Sequence, residues 1–399
     1  MNLRPPHSLA WVAGKQSNLS RLYDMIEEHL RISICIVCMN RLHHLKQTLA
    51  QNIADNKDYP NLEFVILDYN SKDGLSEWLI TEFNDLIEVG VIRYYRTSEP
   101  QTWNPSHSKN LAFKLATGEI LCNMWADYFT GPCFASYTNS LFKDKVSIVL
   151  TPIDFYKTKK GFRPPGDVLG KVCVKKNHFL QVGGFDERIN KHGFEDYDFV
   201  NRLEMAGLKR VILDDPKFLK YIPHSDHERY MLPTKSINNV LVSYINPWES
   251  SIIILYKNGV FKEGTLIENS LFMANLYKYA YEERVFHFKN SLKEIDWAVG
   301  NWTSTADRIA LCYNDGSKRY LQQMEGQRTA YYRSTDTQTQ IYQELRNKKA
   351  LLMLWDFLHF YDTRNIMEKN LKGRKMKVNE TGFGKGTIYM DFGYKCISI

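Results

Sequence analysis

The stretch "ISICIVCMNRLHHLKQTLAQNIADNKDYPNLEFVILD" (32–68) decides the fold class. It holds a continuous apolar and β-branched run at 32–39, a helical pattern at 43–56 and a second apolar run at 62–68. Strands that are apolar on both faces and alternate with helices are typical of a parallel sheet covered by helices on both faces. The stretch therefore predicts an α/β fold, Rossmann-like and mainly parallel.

The same alternation continues as far as about residue 235, which predicts one α/β domain over 31–235. After that, the pattern changes to short β-like runs with a helical stretch at 341–361, which predicts a β-rich or mixed α/β accessory domain over 240–399. The segment "NLSRLYDMIEEHL" predicts a helical N-terminal extension over 1–30.

Composition excludes several classes of protein. The 399 residues are 44% apolar, which is enough to form large cores, and 52 Lys and Arg against 45 Asp and Glu give a net charge of +7. This mild excess suits an anionic small ligand or membrane face and is too weak to predict nucleic-acid binding. The seven cysteines predict reduced, mostly buried thiols. No signal peptide or membrane span is evident, so the expectation is a soluble, cytoplasmic protein.

Polar residues follow the predicted strands where ligands of parallel sheets bind, at the carboxyl edge. Asn40 and Arg41 come directly after the first strand, where a guanidinium can meet a pyrophosphate at a helix N-terminus. Asp68 ends the second strand, and Asn70 and Asp73 follow in "YNSKDG". These acids can hold a ligand or can simply form a turn, and the residues alone leave both interpretations open.

Two acidic motifs and one histidine motif complete the set. "HGFEDYDF" places Glu195 and Asp196 at the start of a predicted helix, and crowded acids of this kind can supply a general base. "NMWAD" places Asp127 after a buried strand, with Trp125 two residues earlier. "YIPHSDHERY" contains His224, which can join a carboxylate in binding manganese or magnesium, or can be an ordinary loop histidine.

Taken in order, the motifs "MNR", "LDYNSKDG", "NPSHSKNLAFKLATGEILCNMWAD", "GGFDE", "GFEDYDFVNRL" and "PHSDHERY" resemble those of inverting GT-A glycosyltransferases. The resemblance is to bacterial family-two enzymes and to the catalytic domain of the β-1,4-galactosyltransferases, and it covers roughly residues 30–230. The chain departs from the family pattern at Trp125, which stands where the first Asp of the D-x-D motif is expected.

The resemblance implies a role for each matching residue. Glu195 binds a sugar, Asp196 is the catalytic base, and Asp127 and His224 hold a Mn²⁺ or Mg²⁺ ion. Asp68 contacts the uracil or its ribose, and Arg41 lies near the diphosphate. The nucleotide-sugar-binding residues expected in this way are Asn40, Arg41, Asp68, Asn70, Asp73, Lys109, Asn110 and Trp125.

The function implied is the inverting transfer of a sugar from a nucleotide-sugar, with UDP expected, to a hydroxyl of a glycan or lipid-linked glycan. The pathway implied is surface polysaccharide biosynthesis, with peripheral association at the inner face of the membrane. One alternative is a catalytically impaired carbohydrate-binding or scaffolding protein, with Trp125 marking the loss. A retaining transferase also stays open, whereas the lack of a Gly-rich loop disfavours a nucleotidyltransferase.

Overall fold

The computed structural model describes residues 29–145, 147–154, 161–162, 164–165, 168–223, 236–246, 249–267, 279–280, 287–288, 296–324, 331–337, 339–346, 348–390, 392 and 395–399. Contacts within the chain divide it into two compact units, Met1–Pro223 with Ile366–Ile399 and His224–Asn365. The N-terminal extension predicted over 1–30 lies outside the described residues, apart from its last two.

The first unit alternates strands and helices as the sequence predicts. Its elements before residue 223 are β1 (Ile32–Cys38), α1 (Leu42–Ala54), β2 (Leu62–Tyr69), α2 (Leu75–Glu88), β3 (Ile92–Thr97), α3 (Pro105–Leu115), β4 (Ile120–Trp125), α4 (Phe134–Asp144), β5 (Ile148–Thr151), β6 (Cys173–Lys175), α5 (Lys176–Gln181), α6 (Glu195–Met205) and β7 (Lys209–Ile212).

Both faces of this sheet are covered by helices. Alternate residues of β1, beginning with Ile32, pack in a core cluster with Leu45 and Leu49 of α1. The intervening residues point to the opposite face, where the Cys35 thiol lies 3.9 Å from the Ala112 carbonyl oxygen of α3. Burial on both sides explains why these strands are continuous apolar runs.

The second unit is built around a closed barrel. Its elements are β8 (Ile237–Asn246), β9 (Glu249–Tyr256), β10 (Val260–Ile267), β11 (Tyr279–Ala280), β12 (His287–Phe288), β13 (Ala298–Ser304), β14 (Arg308–Tyr313), β15 (Lys318–Gln323), β16 (Tyr331–Ser334), β17 (Ile341–Glu344) and the start of α7 (Lys348–Lys372). The barrel order is β10-β13-β14-β15-β16-β17-β8-β9, and β11 pairs with β12 in a separate sheet. The predicted helix at 341–361 therefore begins later, because 341–344 form a strand.

The chain after α7 adds β18 (Thr387–Met390) and β19 (Lys395–Ser398) to the first unit. The sheet order is β19-β18-β3-β2-β1-β4-β6-β5-β7, and Tyr389 of β18 pairs with Arg96 of β3. The predicted accessory domain over 240–399 does not coincide with this division, since 366–399 belong to the sheet unit. The pairing of β18 with β3 joins residues far apart in the sequence, so no local pattern predicts it.

The sheet is mixed, which corrects the expectation of a mainly parallel one. β1 is parallel to β2 and β4, and β2 is parallel to β3. The short β6 runs antiparallel to both β4 and β5, and β18 runs antiparallel to β3. The parallel centre is the part that places the candidate site.

The cysteines conform to the expected pattern of reduced thiols. All seven are free, and Cys35 and Cys38 are buried in β1. Burial raises the pKa of both thiols, so neither is a ready thiolate. None of the described helices combines the length and apolarity needed to cross a bilayer.

Candidate active site

The carboxyl ends of β1, β2 and β4 meet at one edge of the sheet. Cys38 pairs with Asp68, and Val37 pairs with Trp125, so the polar residues that follow each strand lie at the same level. This register brings the motifs of three separate stretches together, as the sequence predicts.

The loops after β1 and β2 are tied to each other by side chains from the predicted set. Asn40 Oδ1 accepts a hydrogen bond from Lys72 N at 2.7 Å, and Asp73 Oδ2 accepts one from Leu42 N at 2.8 Å at the start of α1. Asn40 and Asn70 both have positive φ, a conformation that Asn tolerates better than most residues. These bonds give Asn40 and Asp73 a structural role at the edge, while Arg41 lies half-buried before α1.

Asp68 is buried and points into the turn. Its Oδ1 accepts from Ser71 N at 2.7 Å, and its Oδ2 accepts from Tyr94 Oη at 2.8 Å, with Arg96 nearby. Burial raises the pKa of Asp68, against these hydrogen bonds and the charge of Arg96. Asn70 likewise donates to the Pro100 carbonyl oxygen at 2.7 Å. These contacts hold both residues in place at the carboxyl edge of the sheet.

A buried lysine joins the two predicted catalytic acids. Lys109 lies on α3, which begins with Asn104 as its N-cap and Pro105 at its first position. Its Nζ donates to Glu195 Oε1 at 3.1 Å and to Asp196 Oδ1 at 2.5 Å, and its side chain is wholly inaccessible to solvent. Residues of two helices, 86 positions apart in the sequence, thus form one ionic cluster.

The two acids of this cluster have pKa values that move in opposite directions. For Glu195, burial disfavours the charged form, but Lys109 and His192 outweigh it and lower the pKa. For Asp196, burial dominates over Lys109, and the charge of Glu195 adds to it, which raises the pKa to about 7. A carboxylate with a pKa near neutrality is suited to accept a proton at physiological pH.

Trp125 lies against this cluster. Lys109 Nζ is 4.6 Å from the centre of the indole ring, a cation–π distance, and Trp103 packs at 5.5 Å on the same indole. Gly170 separates Trp125 from Asp196: a Cβ at position 170 would lie 2.4 Å from Trp125 Nε1 and 3.2 Å from Asp196 Oδ2. Trp125 is therefore part of the surroundings of the acid pair.

The loop that carries Asp127 is held at each of four successive carbonyl groups. Thr48 Oγ1 donates to Ala126 O, Ile222 N to Asp127 O, Asn52 Nδ2 to Tyr128 O and Lys171 Nζ to Phe129 O, at 2.7–3.0 Å. Lys171 also donates to the Phe218 carbonyl oxygen, and burial lowers its pKa to about 7. The bonds fix the backbone at Asp127 and tie it to the segment that precedes His224.

His224 lies outside the described residues, so its predicted role as a metal ligand stays a prediction. In the part of the chain that the structure describes, no three His, Cys, Asp or Glu side chains are grouped to hold a metal ion. Asp127 is the described member of the predicted metal pair, and it is buried at the end of β4.

Asn110 and Asp198, the third acid of "FEDYD", make contacts that hold neighbouring loops in place. Asn110 exchanges hydrogen bonds with the backbone of Phe185 and donates to Glu187. Asp198 accepts from Arg202 Nε at 2.7 Å, and this buried guanidinium donates to the carbonyl oxygens of Val182 and Gly184. These contacts hold the "GGFDE" loop against α3 and α6.

Several residues that support the site have no recognisable pattern in the sequence. Asn370, at the end of α7, donates to both Asp186 and Asp198, and Asn379 donates to the carbonyl oxygens of Gly183 and Phe185. His107 bridges the Tyr69 hydroxyl and the Lys385 carbonyl oxygen. Trp103 and Gly170 are single residues in loops, so only the fold brings both of them to Trp125.

The chain from β1 to α6 can also be compared with known proteins. Residues 33–202 match the family model described as Glycosyl transferase family 2. The segment that matches the family-two model contains every predicted site residue except His224. A search of curated proteins gives no match.

Solved glycosyltransferase structures show a more distant likeness. One is the mannosyltransferase PcManGT from Pyrobaculum calidifontis in complex with GDP-Man and Mn²⁺, with 18% identity and a TM-score of 0.40 over 53% of this chain and 66% of that one. Another is S. aureus TarS 1-349 in complex with UDP, with 16% identity and a TM-score of 0.39 over 51% and 63%. The chain thus spans at most about two thirds of these proteins. The matches give no support to the narrower likeness to β-1,4-galactosyltransferases or to a bacterial origin.

Proposed function

We propose that this protein is a nucleotide-sugar glycosyltransferase that acts with inversion, with Asp196 as the general base. One observation carries the proposal: a buried acid with a pKa raised to about 7 lies in the first turn of α6, inside the family-two segment and beside the carboxyl edge of the sheet. In this role Asp196 takes the proton from an acceptor hydroxyl as the hydroxyl attacks the anomeric carbon.

The other site residues have supporting parts in this proposal. Glu195 is ionised, because Lys109 and His192 lower its pKa, and it accepts hydrogen bonds from hydroxyls of the sugar. Arg41 faces the diphosphate from the N-terminus of α1, where anions are favoured. Asp68, Asn70 and Asp73 shape the edge that receives the base and ribose of the donor, for which we propose UDP.

We propose a divalent cation on one side of this edge. Asp127 offers a hard oxygen ligand on a backbone whose carbonyl groups are all bonded, and the chain passes it at Ile222, two positions before His224. We propose that Asp127 and His224 hold Mn²⁺ or Mg²⁺, which would neutralise charge on the leaving nucleoside diphosphate. The acceptor that we propose is a glycan or lipid-linked glycan in surface polysaccharide synthesis at the cytoplasmic face of a membrane.

Calorimetry with UDP, GDP and CMP, each with and without Mn²⁺, tests the proposal. We expect Mn²⁺-dependent binding of UDP, followed by release of UDP from UDP-sugars in the presence of glycan acceptors. Asp127→Asn should abolish the Mn²⁺ dependence, whereas the exposed Asp144→Asn should leave it unchanged. If no nucleotide binds, the transferase proposal fails and a carbohydrate-binding or scaffolding role takes its place.

A further inference from the structure

The resemblance implies that Lys109 lines the donor pocket, but its contacts point elsewhere. An ammonium group has three N–H donors. Two carboxylates accept from Lys109 Nζ, and the rings of Trp125 and Phe185 lie 4.6 Å and 4.9 Å from it. A phosphate can reach this buried group only if these contacts break.

We propose that Lys109, covered by the indole of Trp125, is a positioning residue that holds Glu195 and Asp196 as their internal counter-ion and does not bind the donor phosphates. This inference rests on the proposed function, since it assigns a part of the same site. It also explains Trp125, because the aromatic ring stabilises the ammonium without adding a third negative charge beside it.

Charge balance shows why an acid at position 125 would be unfavourable in this chain. One ammonium already faces the carboxylates of Glu195 and Asp196, both almost completely buried. A third carboxylate in place of the indole would compete for Lys109 and raise the repulsion among the acids. Trp125, which departs from the D-x-D pattern, is therefore matched to the single positive charge of Lys109.

The backbone of Gly170 forms a wall against which both Trp125 and Asp196 lie. Its carbonyl oxygen accepts from Asn123 Nδ2 at 2.6 Å, which fixes the backbone between Trp125 and Asp196. Because a Cβ at position 170 would approach both side chains, the indole and the carboxylate lie against the same backbone atom. Trp125 and Asp196 are thus placed together by Lys109 on one side and by Gly170 on the other.

The first test separates positioning from donor binding. Lys109→Met removes the charge at similar length, Lys109→Arg keeps it, and the exposed Lys46→Met on α1 is the control. We expect Lys109→Met to lower kcat by about 10²-fold, the scale of general-base catalysis, and to change the nucleotide Kd by less than about threefold. Lys109→Arg should recover part of the kcat. A Kd weakened about tenfold or more, with kcat retained at saturating donor, would overturn the inference.

The second test does not need turnover. NMR of ¹³C-labelled aspartate carboxyl groups measures the titration of Asp196, whose signal is assigned with the Asp196→Asn variant. Lys109, Glu195 and His192 are the charged or titratable groups around it. We expect its midpoint to rise by about one pH unit or more in Lys109→Met, because a nearby cation is lost. An unchanged midpoint would refute the counter-ion role. If the wild-type protein binds no nucleotide, the proposed function fails and this titration still decides the inference.

The third test concerns Trp125 directly. Trp125→Asp restores the carboxylate that the resemblance implies, and Trp125→Phe keeps an aromatic face. We expect Trp125→Phe to retain most of the kcat and Trp125→Asp to lose about tenfold or more, since the added charge competes for Lys109. A Trp125→Asp variant that is more active than wild type would contradict the proposed match between Trp125 and Lys109.

Discussion

Each of the two units contains an ionic cluster, buried in the sheet unit and partly buried in the barrel, and the two clusters differ in charge balance. In the sheet unit, Lys109 is shared by two acids. In the barrel, the single acid Glu263 accepts from Arg319 and from the hydroxyls of Tyr313 and Tyr342. Burial, together with Glu263, raises the pKa of Tyr313, and burial raises that of Tyr342 to about 12, so both remain donors near neutral pH.

This difference agrees with the catalytic role that we propose for the sheet cluster and with a structural role for the barrel cluster. The barrel carboxylate has a cation and two neutral donors, so its charge is fully compensated in the folded chain. The sheet cluster has two carboxylates for one ammonium group, and burial, with the charge of Glu195 added to it, raises the pKa of Asp196 to about 7. A buried group that is left poised between two protonation states is typical of an active site.

The largest expected effect is on turnover. Asp196→Asn removes the proposed general base, and we expect kcat to fall by about 10²–10⁴-fold with the nucleotide Kd nearly unchanged. Glu263→Gln, a change of the same kind in the barrel cluster, should leave kcat within about twofold. Steady-state kinetics on both variants measures the two changes in kcat. Equal losses would mean that charge imbalance does not distinguish the two clusters.

The barrel cluster should instead matter for stability. Glu263→Gln leaves the Arg319 guanidinium without its counter-ion, which we expect to cost on the order of 3 kcal/mol of local unfolding free energy. Native-state hydrogen exchange of the amides of β10 and β15 measures this. Glu344→Gln is the control, because Arg346 in that pair is more than half exposed and such pairs contribute less than about 1 kcal/mol. A cost as small as the control's would show that Glu263 is not structural.

The sequence was sufficient for the parallel centre of the sheet and for the positions at its edge. Strongly apolar runs predicted β1, β2 and β4, and because their carboxyl ends share one level, Asp68, Trp125 and Asp127 had to lie there. The sequence also predicts the helix that begins at Glu195, and within it Asp198 forms a buried ion pair with Arg202. The mechanistic roles of these residues remain predictions.

The structural features that the sequence could not predict depend on contacts between distant parts of the chain. The pairing of β18 with β3 joins residues nearly 300 positions apart, and the closed barrel depends on hydrogen bonds between short strands without a distinctive pattern. The position of Lys109 beside two acids depends on the fold, which brings its side chain on α3 to the start of α6. Local periodicity carries no information on such packing, so Lys109 was assigned by resemblance alone.

The pH dependence of stability offers a test that is independent of catalysis. The pKa of Asp196 is higher in the folded chain than in the unfolded one, so the folded state binds more protons between about pH 4 and pH 7. Stability from this group is therefore lost as the pH rises through that window. We expect Asp196→Asn to remove this loss. The stability of the variant relative to the wild type should therefore be higher at pH 7 than at pH 4, by on the order of 2 kcal/mol. Urea denaturation at both values measures it, and a constant difference would show that Asp196 titrates normally.

The smallest expected effect comes from one added methyl group in each unit. Neither Gly170 nor Gly300 has a positive φ, so alanine is allowed by the backbone at both positions and only the surroundings decide. At Gly170 the new Cβ meets the side chains of Trp125 and Asp196, which can shift, and we expect kcat to fall about tenfold with little change in the free energy of unfolding.

At Gly300 the new Cβ would lie 2.0 Å from the Cys312 carbonyl oxygen, which is held in the barrel ladder. Gly300→Ala should therefore weaken hydrogen-exchange protection in β13 and β14 and leave kcat unchanged. If Gly170→Ala lowered stability and not kcat, the wall shared by Trp125 and Asp196 would be a packing feature, and the division between a reactive and a structural cluster would rest on Asp196 alone.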